Sequence, residues 1–220
     1  MKRIRNWART TFCRSKDIVY PRSEAEIVDL VKLCNENHTP LKVVGKAHSY
    51  NDIFCAGEEG VVVSLKKFSS VERVDRENAT VTVQAGIDIP TLIRRLKPHN
   101  LSLKNLGTNV FDNIAGACST GYHGSGIDFG IFVSDVVSME VVTPTVEKRR
   151  IGREDEDFKA YAVGLGMLGI IVRVTLQCEP SYKLEVIEKQ MSLEEIEARF
   201  SEFMAYRHFK FIWVPHTRNF

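Results

Sequence analysis

The stretch Val43-Val44-Gly45-Lys46-Ala47-His48-Ser49-Tyr50-Asn51-Asp52 decides how this chain reads. It follows the apolar run Leu41 to Val44, so a glycine turn opens directly off a predicted strand. A polar loop then offers a histidine, a serine and several successive backbone N–H groups. Such groups can form a nest for a phosphate oxygen, and a glycine lets the backbone approach a ligand closely. Alone, G-x-x-H-S is also an ordinary strand-to-loop turn. A second stretch, Leu106 to Gly126 (LGTNVFDNIAGACSTGYHGSG), repeats the chemistry at larger scale. Asn113, Ser119 and Thr120 are short polar groups, and Gly116, Gly121, Gly124 and Gly126 give room. Ile114, Ala115, Ala117 and Cys118 argue against a flexible linker, which seldom carries apolar residues in a run. Residues 107–130 show almost no period and read as a long loop of the kind compact domains keep for function. Two such loops, far apart in sequence, could close on one long anionic ligand, with His48 placed to react with it.

Around these loops the pattern is mixed. Ile18 to Tyr20 reads as a strand. Ser23 and Glu26 have capping-box spacing, and Ile27, Leu30, Val31 and Cys34 follow as a helical stripe. Pro40 ends the connection and Leu41 to Val44 completes a β-α-β opening. Val61 to Leu65, Val71 to Val74 and Ala79 to Ala85 read as strands. Asp88 caps a helix with Pro90 in its first turn, running to about Lys97 and burying Leu92, Ile93 and Leu96. Val133 to Thr143 and Ile170 to Gln177 read as strands, with Asp155 capping a short helix through Val163 between them. After Pro180 the character changes. Lys183 to Lys189 reads as a polar strand. Ser192 and Glu195 form a second capping box before the stripe Leu193, Ile196, Phe200 and Phe203, and Phe209 to Val214 reads as an aromatic strand. A boundary near Pro180 leaves about 40 residues beyond it, too few for an independent core.

Bulk properties exclude several classes. The chain has 220 residues, 44% hydrophobic and 26% charged, which is the make-up of a globular protein. A net charge of +2 without a basic stripe gives no footprint for nucleic acid. The uncharged run Ala160 to Val172 is 13 residues, too short to cross a bilayer. The basic N-terminus MKRIRNWARTTF has no apolar segment of the secretory kind, and Trp7 and Phe12 are expected to pack on the domain. Five cysteines with no CxxC spacing argue against a disulfide framework or a zinc site and for a reducing, cytoplasmic setting. His38, His99, His123, His208 and His216 read as loop residues. No histidine pair has metal-ligand spacing, so no metal site is expected.

Six segments, VVGKAHSYNDI, VTVQAGI, LKNLGT, IAGACSTGYHGSG, GLGMLGIIVRVTLQ and FKFIWVPHT, occur in one order over nearly the whole chain. Together they resemble the FAD-binding domain of the vanillyl-alcohol oxidase type (PCMH-type), specifically the sugar-1,4-lactone and alditol oxidases of the L-gulonolactone oxidase-like and D-arabinono-1,4-lactone oxidase-like kind. The resemblance implies an α+β fold in which two subdomains clamp an extended FAD, followed by the truncated start of a substrate (cap) domain. Residues 1–180 would be the FAD-binding domain and 181–220 the partial second domain. Val43, Val44, Gly45, Lys46, Ala47, His48 and Ser49 would wrap the pyrophosphate, with His48 bonded covalently to the flavin. Thr108, Asn113, Gly116, Ala117, Cys118, Ser119 and Thr120 would line the other side, and Ile170 would meet the adenine end through its backbone. Ala47 departs from the glycine that family members commonly have before the histidine, and its Cβ narrows the approach. The implied activity is FAD-linked oxidation of a small sugar lactone or polyol, with oxygen or another acceptor. A flavin-binding module without catalysis, a degenerate paralogue, is the other reading. Catalytic residues stay unassigned, because both loops serve the cofactor, and the chain alone is expected to turn over slowly if at all.

Overall fold

The computed structural model describes residues 1–214 and 216. The chain opens with β1 (Lys2–Arg5) and β2 (Phe12–Ser15), an antiparallel hairpin pairing Ile4 with Cys13. Next come β3 (Asp17–Val19), α1 (Glu24–Glu36), β4 (Leu41–Val44) and β5 (Val61–Ser64). The last two strands and β3 form a parallel three-stranded sheet in the order β3-β5-β4. Buried on α1 are Ile27, Val31 and Cys34, which is the face the stripe predicts. Ser23 caps the helix by accepting the Glu26 N–H at 3.2 Å. The reciprocal half closes one residue early, because the Glu26 carboxylate accepts from the Arg22 N–H at 2.8 Å instead of from Ser23.

The second unit is an antiparallel sheet. Among its strands are β6 (Val71–Asp75), β7 (Thr80–Gln84), β9 (Val136–Val142) and β10 (Lys148–Gly152), and between β7 and β9 lie the helix α2 (Ile89–Leu96), the short β8 (Leu101–Ser102), which pairs outside this sheet, and the helix α3 (Ile114–Ser119). A short helix α4 (Phe158–Tyr161) precedes β11 (Ile170–Gln177), which is followed by β12 (Glu179–Pro180). The sheet order β10-β9-β11-β7-β6 puts β11 at the centre. Its Ile170, Ile171, Val172, Val174 and Leu176 are buried, and Arg173 is the charged exception. Arg173 donates through Nε to Glu72 at 2.7 Å and through Nη1 to Glu140 at 3.0 Å, and it also pairs with Glu24. One guanidinium thus ties α1 of the first unit to β6 and β9 of the second. The two units share a single core that runs from Ile27 and Val63 to Met139 and Leu176.

Several local expectations give way to tertiary structure. Asp88 does cap α2, accepting the Thr91 N–H at 2.8 Å, but Ile93 is 38% exposed while Ile89, Leu92 and Leu96 are buried. The helix before β11 is one turn, started at Asp157; Asp155 instead accepts the Gly152 N–H at 2.7 Å and closes a turn upstream. Trp7 and Phe12 stay 65% and 56% exposed on the hairpin. Past Pro180 the helices α5 (Leu193–Ala198) and α6 (Phe200–Met204) form, and the Ser192–Glu195 capping box is complete. Only Ile196 and Phe203 of the expected stripe are buried; Leu193 and Phe200 are exposed. Lys183 to Lys189 and Phe209 to Val214 are not strands; pairing is decided by tertiary structure, which residue pattern alone does not carry. The segment nevertheless returns to the body through Arg207, which bonds the Lys104 carbonyl at 3.2 Å, pairs with Glu179 and stacks between Phe129 and Tyr182. Among the described residues no helix is long and apolar enough to cross a membrane.

Candidate functional site

A cleft of about 310 Å³ opens where the two units meet. The end of β4 and the loop after it form one wall: Val43, Val44, Gly45, Lys46, Ala47, His48 and Ser49 all line it. Ala85, Gly86, Asn113, Gly116, Ser119 and Thr120 line the opposite wall, with Gly169 and Ile171 from the start of β11. The walls are close because their backbones nearly touch. A Cβ on Gly86 would lie 1.9 Å from the Leu65 carbonyl oxygen, and one on Gly45 would lie 3.0 Å from Asn113 Oδ1. Asn113 is buried and donates from Nδ2 to the Gly86 carbonyl at 2.6 Å, so its position is fixed by the turn after β7.

The first loop is shaped from outside. The Trp7 N–H donates to the Ala47 carbonyl at 2.7 Å, Asn6 Nδ2 to the Ser49 carbonyl at 3.2 Å and Thr11 Oγ1 to the Tyr50 carbonyl at 3.3 Å. The N-terminal hairpin therefore takes up the loop's carbonyls. No backbone N–H of Lys46, Ala47, His48 or Ser49 donates to a protein group among the described residues. Ala47 sits at φ +54°, in the left-handed region, and so alternates the loop's conformation as an anion nest requires. Lys42, Lys46 and Lys66 line the cleft, and Lys46 Nζ lies 3.7 Å from Asp88. Ile53, Phe54, Leu65 and Leu165 add apolar surface. The cleft combines N–H donors and cations with apolar flanks, suited to a ligand with a phosphate centre and flat rings at its ends.

His48 faces two polar neighbours through one atom. Its Nδ1 is 2.7 Å from Asp112 Oδ1 and 2.9 Å from Asn109 Nδ2. Trp7 meets the ring edge-on at 5.7 Å. Nδ1 can donate or accept but cannot do both, so only one of these contacts is a full hydrogen bond.

Not every expected residue reaches the cleft. Thr108 is exposed and outside the lining. Ala117 and Cys118 lie on the inward face of α3, in the core, where burial pushes the Cys118 thiol up to about 12. Ile170 is buried, and its neighbours Gly169 and Ile171 line the cleft in its place. Residues 114–119, read as loop, are helical. Asp112, Gly86, Phe54 and Tyr122 are lining residues that the sequence reading missed. Asp112 and Tyr122 stood inside the glycine-rich stretch already singled out. Gly86 ends the alternating β7 pattern, a signal for a tight turn; Phe54 carried no signal distinct from a core residue.

Residues 16–152 match the family described as FAD binding domain. The chain is 34% identical over 220 residues to L-gulonolactone oxidase of Bos taurus, covering 99% of this chain and 50% of that protein. It is 33% identical to L-gulono-1,4-lactone dehydrogenase of Mycobacterium tuberculosis (96% and 49% covered). It is 30% identical to the mitochondrial L-galactono-1,4-lactone dehydrogenase of Arabidopsis thaliana (97% and 35% covered). The chain thus spans half or less of the length of these relatives. Among solved structures, an alkyldihydroxyacetonephosphate synthase superposes with a TM-score of 0.68 at 23% identity, over 74% of this chain and 31% of that one, which speaks to the fold.

Proposed function

Because the chain belongs to the FAD binding domain family, we propose that its cleft holds FAD between the loop 43–49 and the stretch 113–120, as part of an oxidoreductase acting on a sugar 1,4-lactone or related polyol. The observation that carries this reading is the row of backbone N–H groups from Lys46 to Ser49, left open at a left-handed turn and faced by Gly116, Ser119 and Thr120. Hydrogen-bond donors in that arrangement replace the water around a diphosphate. Gly116 leaves space, since a Cβ there would meet nothing within 4 Å. Lys42, Lys46 and Lys66 offset phosphate charge, while Phe54, Leu65 and Ile171 offer apolar surface to rings. A bound flavin would supply the acceptor for hydride from a substrate carbon.

The residues themselves bind and orient. His48 is proposed as the covalent attachment point, since it lines the cleft from the loop that carries the nest. Of the remaining expected set, Thr108, Ala117, Cys118 and Ile170 act, in this reading, through the backbone path they give their neighbours. The names of the relatives support a lactone substrate, with oxygen or another acceptor. Residues 181–220 are taken as the beginning of a substrate domain. The odd count of five cysteines without CxxC spacing is the basis for proposing a reducing, cytoplasmic compartment.

Acid precipitation of the FAD-loaded chain tests the reading. Wild type should give a yellow pellet, and His48→Ala should bind FAD yet release it to the supernatant. A wild-type chain that does not bind FAD at micromolar concentration sinks the proposal; one that binds it but releases all of it to acid removes the covalent bond only.

A further inference from the structure

Asp112 lines the cleft and its carboxylate is turned on His48. Its Oδ1 lies 2.7 Å from His48 Nδ1, and both side chains are largely buried, 21% and 14% exposed. Its place is fixed by backbone on either side. The Asp112 carbonyl accepts the Ile89 N–H at 3.0 Å, next to the Asp88–Asn113 bridge, and Asn113 is locked to Gly86. Asp112 therefore presents its carboxylate from a rigid support anchored at the N-terminus of α2. The loop bearing His48 is held separately, by Trp7 and Asn6.

The competing contact resolves in favour of Asp112. Asn109 Oδ1 already accepts the Phe111 N–H at 3.1 Å, so its amide cannot turn over to suit His48 without setting a donor against a donor. A carboxylate acceptor is the stronger partner for an imidazole N–H. The ring then carries its proton on Nδ1, toward Asp112, and its orientation is fixed by that bond.

We propose that Asp112 is the positioning residue for His48: it holds the imidazole in the Nδ1–H tautomer and in the orientation needed for attachment to the flavin, a step in which one flavin C–H bond and the imidazole N–H bond give way to a C–N bond, the two hydrogens leave as protons (that of Nδ1 to Asp112), and the two electrons pass through the flavin to dissolved oxygen, which becomes hydrogen peroxide. The proposal rests on the reading of His48 as the attachment site. It predicts that FAD binding and covalent incorporation are separable. Asp112 lines the same cleft as residues 46–49, so incorporation is compared at saturating FAD, where a change in affinity does not enter and a ring free to turn meets the flavin poorly.

The full chain, produced free of flavin, is mixed with FAD, and acid-stable flavin is followed by in-gel fluorescence while binding is measured by quenching of free FAD. At saturating FAD, Asp112→Asn should slow covalent incorporation by at least about tenfold, the scale seen when a carboxylate no longer orients a histidine. Asp112→Glu should recover part of the rate. Incorporation by Asp112→Asn at the wild-type rate overturns the proposal, while His48 remains the attachment site. Wild-type chain that binds FAD but never becomes acid-stable overturns the attachment reading, and with it the role of Asp112. If Asp112→Asn does not fold, long-range proton–nitrogen NMR of His48 in the wild type decides: a protonated Nδ1 supports the proposal and a protonated Nε2 overturns it.

Discussion

Replacing Arg173, which lies outside the cleft, by methionine should destabilise the fold. The side chain is 23% exposed and gathers Glu24, Glu72 and Glu140 from α1, β6 and β9. Methionine fills similar volume, so the loss is electrostatic: three carboxylates remain in one place with Lys148 pairing only Glu24. Removing one partner from a buried ion pair costs about 3–5 kcal/mol. Solvent reaches the cluster, most of all at Glu140, which lowers the expectation to about 2–3 kcal/mol. For a domain of this size that is a fall in melting temperature of roughly 4–12 °C. The acid dependence has a definite sign. Burial opposes the charged form of Glu24, but hydrogen bonds from Lys148 and Arg173 outweigh it and hold its carboxyl below the usual carboxylate range. The folded pKa is depressed, so Glu24 contributes stability above its unfolded value and loses it as pH falls through the folded one. Urea unfolding of wild type and Arg173→Met at pH 7 and at steps down to about pH 4 should show the largest gap at pH 7, narrowing as carboxylates protonate. Arg173→Lys should recover little, because one ammonium cannot serve three separated acceptors in a plane. A gap below about 0.5 kcal/mol at pH 7, the ordinary scale of surface changes, would refute the reasoning. So would a larger gap that does not change with pH.

Ala47→Gly removes a Cβ from a left-handed turn at φ +54°; relief of about 1 kcal/mol is partly offset by the flexibility glycine brings to the unfolded chain. A rise in melting temperature of roughly 1–3 °C is expected, and differential scanning calorimetry showing a fall would mean the turn is not under strain. Cys118 and Cys178, both pushed up to about 12 by burial, should resist iodoacetamide at pH 8 in the native chain and react fully after denaturation. Native labelling of either, seen by peptide mass spectrometry, would contradict their placement in the core.

What the sequence made legible follows from burial. β11 could be read because its apolar residues face a core, and α1 because its stripe does the same. β1, β2 and β10 (KRIR, FCRS, KRRIG) could not, since they are exposed and charged and exist by pairing with a neighbour. The opposite error at Lys183 to Lys189 and Phe209 to Val214 has the same root: residue pattern suits a strand, but the ladder partner is a tertiary fact. α3 hid in the loop because glycine and cysteine are poor helix formers. It is held in place by the Ile114 N–H on the Ile87 carbonyl and the Ala115 N–H on the Ala85 carbonyl. In the site, chemistry concentrated on loop residues was legible, whereas Asp112 depended on which of several polar residues in a long stretch would fold against His48.

The hairpin that the sequence concealed also explains how the first loop can stay open. A loop that satisfied its own N–H groups internally would have none to offer a ligand. Here Trp7, Asn6 and Thr11 bond to carbonyls of Ala47, Ser49 and Tyr50, so the loop is held in shape without spending its donors. The left-handed residue at Ala47 is the local cost of turning those donors to one side, and strain of this kind persists only where the surroundings over-determine it. The Trp7 N–H at 2.7 Å and the Trp7 ring against His48 supply that determination on the outer side, Asp112 on the inner side. His48 is thus gripped between two elements from different parts of the chain. Its reach into the cleft is accordingly set by the packing of the two units, and local propensity in residues 43–49 plays the smaller part.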